Sequence, residues 1–357
     1  MFNDILTSFN LIAQQYHIEK FGEGLINRTW KVTGIDNNNE FILQQINKNV
    51  FKTPPHIAEN INNVGGYLSK HYPDYLFVLP LPAANGDYMV KHTDGEYYRL
   101  FPYVKNSITL NTVQTRDEAF EAARQFSKFT NLLAGFEVEG LNYTLAGFHD
   151  LSARFEEFKR VVNKVGTERL NKAKEAVETA FRHQDIAEVH QAIMNDRLIP
   201  LRVVHHDTKI SNILFDEDHK GLCVIDLDTV MPGYYISDVG DMMRTYLSPA
   251  NEEEQDFSKI EIREDFFAAI VEGYLSEMNT NLTESERNLF VYSGKLMIYM
   301  QAIRFLTDYL NNDIYYNTTY PGHNLVRAQN QFILLEKYLA AENTFNQIVS
   351  NTQSQPK

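Results

Sequence analysis

Residues 203–215 read Val203-Val-His-His-Asp-Thr-Lys-Ile-Ser-Asn-Ile-Leu-Phe215, and shortly after comes Val224-Ile-Asp-Leu-Asp228. Reduced to its polar positions, the first stretch is His205-x-Asp207-x-Lys209-x-x-Asn212, a polar loop bracketed by apolar, strand-forming residues. The second stretch is a strand that ends by presenting an acid, Asp226. Phosphoryl transfer needs these parts. A carboxylate orients the attacking hydroxyl and takes its proton, while an amide oxygen and a second carboxylate hold a divalent cation. The cation and a nearby Lys offset charge on the moving group. A polar turn between two buried strands is the plainer reading, but so many suitable residues at fixed spacing argue against it.

Outward from this island, the first hundred residues read as strands broken once. Thr29–Thr33 and Phe41–Ile46 flank the turn cluster Asp36-Asn-Asn-Asn39. Thr53-Pro-Pro55 starts a helix, with Thr as N-cap and Pro in the first turn, running to about Lys70. Tyr75–Leu79, Asp87–Lys91 and Tyr97–Phe101 follow as strands, separated at Asn85-Gly86 and Asp94-Gly95, the strongest two-residue hairpin turns. The expected unit is an antiparallel sheet of about five strands, with one helix inserted between the third and fourth.

From Thr109 the pattern turns helical. Thr115-Arg-Asp-Glu118 and Thr283-Glu-Ser-Glu286 are capping boxes, each expected to open a long amphipathic run. Leu151–Val165, Arg169–Met194, Ile262–Met278 and Asn324–Leu339 also keep a 3.6-residue period. The tail after about Asn343, rich in Gln, Asn and Ser, is expected to fray. The sequence therefore predicts an α+β, two-lobed chain: a small sheet lobe over 1–104, a larger helical lobe over 105–343 and a disordered tail over 344–357. A cleft between two lobes is where a ligand is expected.

The net charge of −14 over 357 residues argues against a nucleic-acid surface and an acidic membrane. With one cysteine, Cys223, no intrachain disulfide and no cysteine-based metal site is possible. Met1-Phe-Asn-Asp-Ile has no basic n-region, and no apolar run reaches membrane length, so a cytoplasmic location is expected. Oligomeric state is not legible.

The motifs resemble the protein-kinase-like superfamily, in particular its aminoglycoside phosphotransferase and choline kinase branch. The resemblance implies a kinase-like fold using ATP and Mg²⁺. Asp207 would be the catalytic base, Lys209 a γ-phosphate contact, Asn212 and Asp226 metal ligands, and His205 a brace of the loop. The phosphate-covering loop is expected in the first hairpin, Phe21-Gly-Glu-Gly-Leu-Ile-Asn-Arg-Thr-Trp30. There Gly22 and Gly24 let the backbone approach phosphates, and Asn27 and Thr29 are candidate donors. The next strand departs from the pattern: where a kinase usually places a phosphate-binding Lys, this chain offers Gln44 or Gln45, with Glu59 on the inserted helix. Adenine is expected against the backbone of Arg99–Val104, around Phe101 and Tyr103. Asp228 reads equally as a second metal ligand, a substrate contact or a loop brace. Asp238 reads as an N-cap or loop anchor at the start of a helix over Asp238–Leu247, and Arg202 and Arg244 as members of structural ion pairs.

A narrower likeness follows from Asp207-Thr-Lys-Ile-Ser-Asn212, Val224-Ile-Asp-Leu-Asp-Thr-Val-Met-Pro-Gly233 and Tyr320-Pro-Gly-His-Asn-Leu-Val-Arg-Ala328. With Leu43-Gln-Gln-Ile-Asn47, these are similar to the N-acetylhexosamine 1-kinases over about residues 17–340. That likeness implies phosphorylation of the anomeric hydroxyl of N-acetylglucosamine or N-acetylgalactosamine. It makes Arg304 a candidate sugar contact, with Tyr315 or Tyr316 packing on the ring. An i,i+4 pair between Arg304 and Asp308 on a solvated face is the competing reading. A kinase for another small hydroxyl acceptor (an aminoglycoside, a choline-like amino alcohol or a different sugar) and a catalytically silent nucleotide-binding module complete the set.

Overall fold

The computed structural model describes residues 2–22 and 26–353. The chain forms two compact units, and neither is continuous in sequence. Unit 1 comprises Met1–Thr109, Gly135–Ala146 and Leu214–Pro232, and unit 2 comprises Leu110–Ala134, Gly147–Ile213 and Gly233–Lys357. The sheet unit therefore takes two later segments that the sequence reading gave to the helical lobe.

Unit 1 is built on five antiparallel strands: β1 (Tyr16–Lys20), β2 (Arg28–Gly34), β3 (Glu40–Ile46), β4 (Val90–Lys91) and β5 (Tyr97–Pro102), in the spatial order β1-β2-β3-β5-β4. Strand alternation sends Val32, Leu43, Tyr98 and Leu100 to one face, where they pack with Ile5, Leu6 and Phe9 of the helix α1 (Phe2–Ser8) and the turn after it. The same alternation sends Thr29, Gln44 and Arg99 to the opposite face. Register makes them neighbours across three strands, Thr29 opposite Gln44 and Gln44 opposite Arg99.

The inserted helix α2 (Pro54–His71) buries Ile57, Ile61, Val64 and Leu68. Its buried Asn60 donates to the carbonyls of Asn142 and Val230. The expected strand Tyr75–Leu79 joins no ladder, and the fifth strand is instead β1. Later in the chain, β7 (Ile213–Phe215) pairs with β8 (Gly221–Val224).

Unit 2 holds the short strand β6 (Arg202–Val204) and the remaining helices. The first five are α3 (Arg116–Leu132), α4 (Leu151–Val162), α5 (Thr167–Lys172), α6 (Lys174–Arg182) and α7 (Asp185–Asn195). Then come α8 (Tyr235–Tyr246), α9 (Glu264–Met278), α10 (Glu284–Arg287), α11 (Phe290–Leu310), α12 (His323–Ala340) and α13 (Glu342–Gln353). The run Arg169–Met194 is thus three short helices.

Both capping boxes are formed, at Thr115 and at Thr283. The second caps only the single turn α10, so the helix carrying Arg304 begins at Phe290 and not near Glu284. At Gly240 a Cβ would stand 2.2 Å from the carbonyl oxygen of Ser293, so α8 and α11 meet backbone to backbone. The expected disordered tail is largely α13, which buries Phe345 and Val349 and stacks Phe345 on Phe267 at 3.9 Å. Only 354–357 of that tail lie outside the described residues.

Candidate active site

In unit 1 the polar row on the sheet is a connected chain of contacts. Gln44 Nε2 donates to Thr29 Oγ1 at 3.3 Å, and Gln44 Oε1 accepts from Arg99 Nε at 3.0 Å and Nη2 at 2.8 Å. The remaining guanidinium nitrogen, Nη1, forms an ion pair with Asp228 Oδ1. Arg99 and Asp228 are 1% and 2% exposed, and neither atom of that contact has a hydrogen-bond partner among the described residues. The contact is held by charge without hydrogen-bond alignment.

The other carboxylate oxygen of Asp228 accepts from Asn27 Nδ2 at 2.6 Å, and its backbone carbonyl accepts from the Thr144 hydroxyl at 2.7 Å. Asn27 Oδ1 in turn accepts from the Asn47 amide. Both ends of the Asn27 amide are therefore occupied within the protein. Of the three readings of Asp228, this arrangement is the brace; its oxygens are taken by Arg99 and Asn27.

Asp226 stands just before this brace, exposed and in the left-handed region at φ 56°, a conformation Asp tolerates better than most residues. Gly22 also takes positive φ, at 71°, whereas Gly24 lies outside the described residues. Phe101 lies under the Arg99 guanidinium at 4.9 Å, and Tyr103 packs edge-on to Phe21 with Lys31 over its ring. Glu59 is exposed and accepts from Asn142, away from the partners of Gln44.

In unit 2 the polar loop follows β6 and is held by one face of α8. The carboxylate of Asp238 accepts both successive amides, His205 N at 2.9 Å and His206 N at 2.7 Å. One turn on, Asp241 accepts from Thr208 N at 2.9 Å, and the Thr208 hydroxyl donates to the carbonyl of Asp238. Asp238 is therefore the anchor of the loop from the first turn of α8, which begins at Tyr235; it is not the N-cap. Burial pushes its carboxyl up to about 6, against the pull of the His205 and His206 amides and the His205 ring.

His205 is fully buried, edge-on to Phe126 at 5.1 Å, a bracing position. His206 takes φ 67° and packs so tightly against Gly233 that a Cβ there would lie 2.4 Å from its Nε2. Arg244 pairs with Asp241 and Glu252, and Arg202 with Glu286, structural ion pairs in both cases.

Between these anchors Asp207 is 28% exposed, with Lys209 Nζ 3.3 Å from its Oδ1. Asn212 Nδ2 donates to the Asp207 carbonyl at 2.9 Å. Desolvation pushes the Asp207 carboxyl up. The Lys209 ammonium, the His205 ring and hydrogen bonds from Lys209 and Asn212 outweigh it and hold the carboxyl below the ordinary carboxylate range. Lys209 is raised, chiefly by the Asp207 charge. The loop thus presents an ionised carboxylate and a firmly charged ammonium side by side.

The same unit carries Arg304, half-buried, its guanidinium 5.3 Å from the Phe148 ring and 5.6 Å from the Tyr316 ring, and bonded to Gln301. Asp308 is engaged elsewhere: it accepts from the backbone amides of Tyr315 and Tyr316 and from the Asn324 side chain. The i,i+4 pair is absent from the described contacts. Tyr316 is held beside Phe305 and Gln301, whereas Tyr315 is exposed. His149 lies 5.3 Å from the His206 ring, and its Nδ1 is buried with no hydrogen-bond partner among the described residues. Burial, reinforced by His206, Arg304, Arg244 and Arg154, holds the His149 imidazole well below its usual range, so it is neutral.

Arg99, Asp241, His149 and His206 were not singled out from sequence. Arg99 left one signal, a charge in the middle of the apolar strand Tyr97–Phe101, the mark of a buried pair.

A five-stranded antiparallel sheet unit, and a helical unit with this carboxylate–ammonium loop, are the parts of a small-molecule phosphotransferase of kinase-like fold. The family model described as "Phosphotransferase enzyme family" matches residues 17–277, and the chain belongs to that family. Among solved structures it is similar to an aminoglycoside phosphotransferase from Alicyclobacillus acidocaldarius, with a TM-score of 0.62 and 14% identity, covering 97% of this chain and 95% of that one. It is also similar to a microcompartment-associated aminopropanol kinase, at a TM-score of 0.64 and 14% identity over 95% and 97% of the two chains. A third is the spectinomycin phosphotransferase APH(9)-Ia, solved with ADP and spectinomycin, at a TM-score of 0.58 and 10% identity over 97% and 98%. At these identities the likeness is one of fold. No helix among the described residues is long and apolar enough to cross a membrane.

Proposed function

We propose that the chain transfers the γ-phosphate of ATP to the anomeric C1 hydroxyl of an N-acetylhexosamine, N-acetylglucosamine or N-acetylgalactosamine. The C1 oxygen attacks the γ-phosphorus and its proton passes to Asp207. The bond to the bridging oxygen breaks, and its electron pair leaves on ADP. Lys209 offsets charge on the transferring group. Asn212 and Asp226 offer hard oxygen donors of the kind Mg²⁺ takes alongside phosphates and water, and when bound the ion supplies charge neutralisation. Gly22, Gly24, Asn27, Thr29 and Gln44 belong to the nucleotide side in this reading, with Phe101 and Tyr103 near adenine. For Asn27, Thr29 and Gln44 the role is support of the loop and sheet, since their polar atoms are bonded within the protein.

The observation that carries the choice of acceptor is Arg304 of unit 2, held between the Phe148 and Tyr316 rings. A guanidinium clamped between aromatic rings suits hydroxyl and amide oxygens. It would repel an ammonium group, so it counts against an aminoglycoside or a choline-like amino alcohol despite the acidic total charge. Arg304 is read as the fork on the sugar and Tyr316 as the aromatic face, with Tyr315 at the rim.

The test is ADP release from ATP with a panel of acceptors. N-acetylglucosamine or N-acetylgalactosamine should be turned over, and the methyl glycoside of either, with its C1 oxygen capped, should not. Phosphorylation of the methyl glycoside would overturn the C1 assignment. Turnover of an aminoglycoside or choline in preference to the sugars would overturn the acceptor class and leave the phosphotransferase standing.

A further inference from the structure

The unit-1 sheet has a cation where none was expected. Gln44 occupies the strand position at which a phosphate-binding lysine would stand, yet its cross-strand neighbour Arg99 brings a full positive charge to the same level of the sheet. That charge is 1% exposed, and every guanidinium nitrogen faces a protein atom: two on Gln44 Oε1 and one on Asp228. A nucleotide phosphate could reach it only by displacing those partners. Taking two charges out of water is expensive, and a pair lacking hydrogen-bond alignment recovers little of that cost, so stability is a poor account of it. What the pair does is fix positions. Asp228 stands two residues after the exposed Asp226, and its second oxygen holds Asn27, which follows the glycine-bearing loop.

We propose that Gln44, Arg99 and Asp228 form a positioning latch that does the work of the missing lysine without touching phosphate. Arg99 is oriented by Gln44 and fixes Asp228. Asp228 sets the left-handed turn that presents Asp226 to the metal, and through Asn27 it ties the phosphate-covering hairpin to that turn. The latch aligns the metal-binding carboxylate, so its loss falls on the metal-dependent part of nucleotide binding. The inference rests on the reading of ATP with Mg²⁺ as the donor and is independent of the acceptor.

The experiment is calorimetric titration of the full chain with ADP, once with Mg²⁺ and once in EDTA, needing no sugar. Two variants are used: Asn27→Ala, which leaves the buried charges paired, and Arg99→Met combined with Asp228→Asn, which removes both charges together. In wild type, Mg²⁺ should tighten ADP binding. In each variant that advantage should shrink by about tenfold, the scale on which groups supporting a metal ligand act, while metal-free ADP binds nearly as before. The double variant should still unfold cooperatively. Equal weakening of both forms would mean that Arg99 contacts phosphate directly and would overturn the latch. A folded double variant that keeps the full Mg²⁺ advantage would overturn it as well. Wild type that binds ADP in neither condition would remove the donor reading itself, a result distinct from either.

Discussion

As the proposed base, Asp207 has two demands on one carboxyl: to be ionised when a hydroxyl arrives, and to stand where that hydroxyl can reach it. The first is met by Lys209 and His205, which hold it below the ordinary carboxylate range despite partial burial. The second is met by backbone anchoring on either side. Asp207→Asn keeps the shape and removes the base, so kcat should fall about 10²-fold or more, with melting temperature and ADP affinity near wild type. Turnover near wild type would remove the assignment. This loop was legible in the sequence as a candidate because its polar residues fall within eight consecutive positions, His205 to Asn212. The Arg99–Asp228 pair was not, since it depends on sheet register at one end and a remote turn at the other.

At the scale of the element, α8 is a clamp on the loop that carries Asp207, and its first turn carries a buried carboxyl raised to about 6. The sign of the resulting pH dependence follows from that direction. The folded state holds this proton more tightly than the unfolded chain, so the contribution is fully present below the ordinary carboxylate range. It is lost as pH rises through about 6. Thermal unfolding between pH 4 and 7 should show that declining component in wild type, and Asp238→Asn should lack it. A variant with the wild-type slope would assign it to another group.

Two elements escaped the sequence reading for physical reasons. Tyr75–Leu79 has strand composition, but Pro80 and Pro82 follow at once and cannot donate to a ladder. In the tail, the abundance of Gln, Asn and Ser hid Phe345 and Val349, spaced four apart on one helical face. Phe345→Ala should cost about 3–5 kcal/mol in chemical denaturation. A negligible loss would show that α13 contributes nothing to the fold.

For the molecule as a whole, the order in which parts are made differs from the order in which they can be finished. The sheet of unit 1 is encoded first, yet the unit closes only with Leu214–Pro232. Asn27 and Asp228 are 201 residues apart, a stretch that takes roughly 10–40 s to synthesise at about 5–20 residues per second. Through that interval the nascent sheet carries an arginine whose counter-ion does not yet exist. Until it does, burying Arg99 would strand a charge, so the earliest-made strands are obliged to stay open on that face. The sheet unit is begun first on the ribosome and completed late, and a chain released before residue 228 holds all five strands without the counter-ion of Arg99.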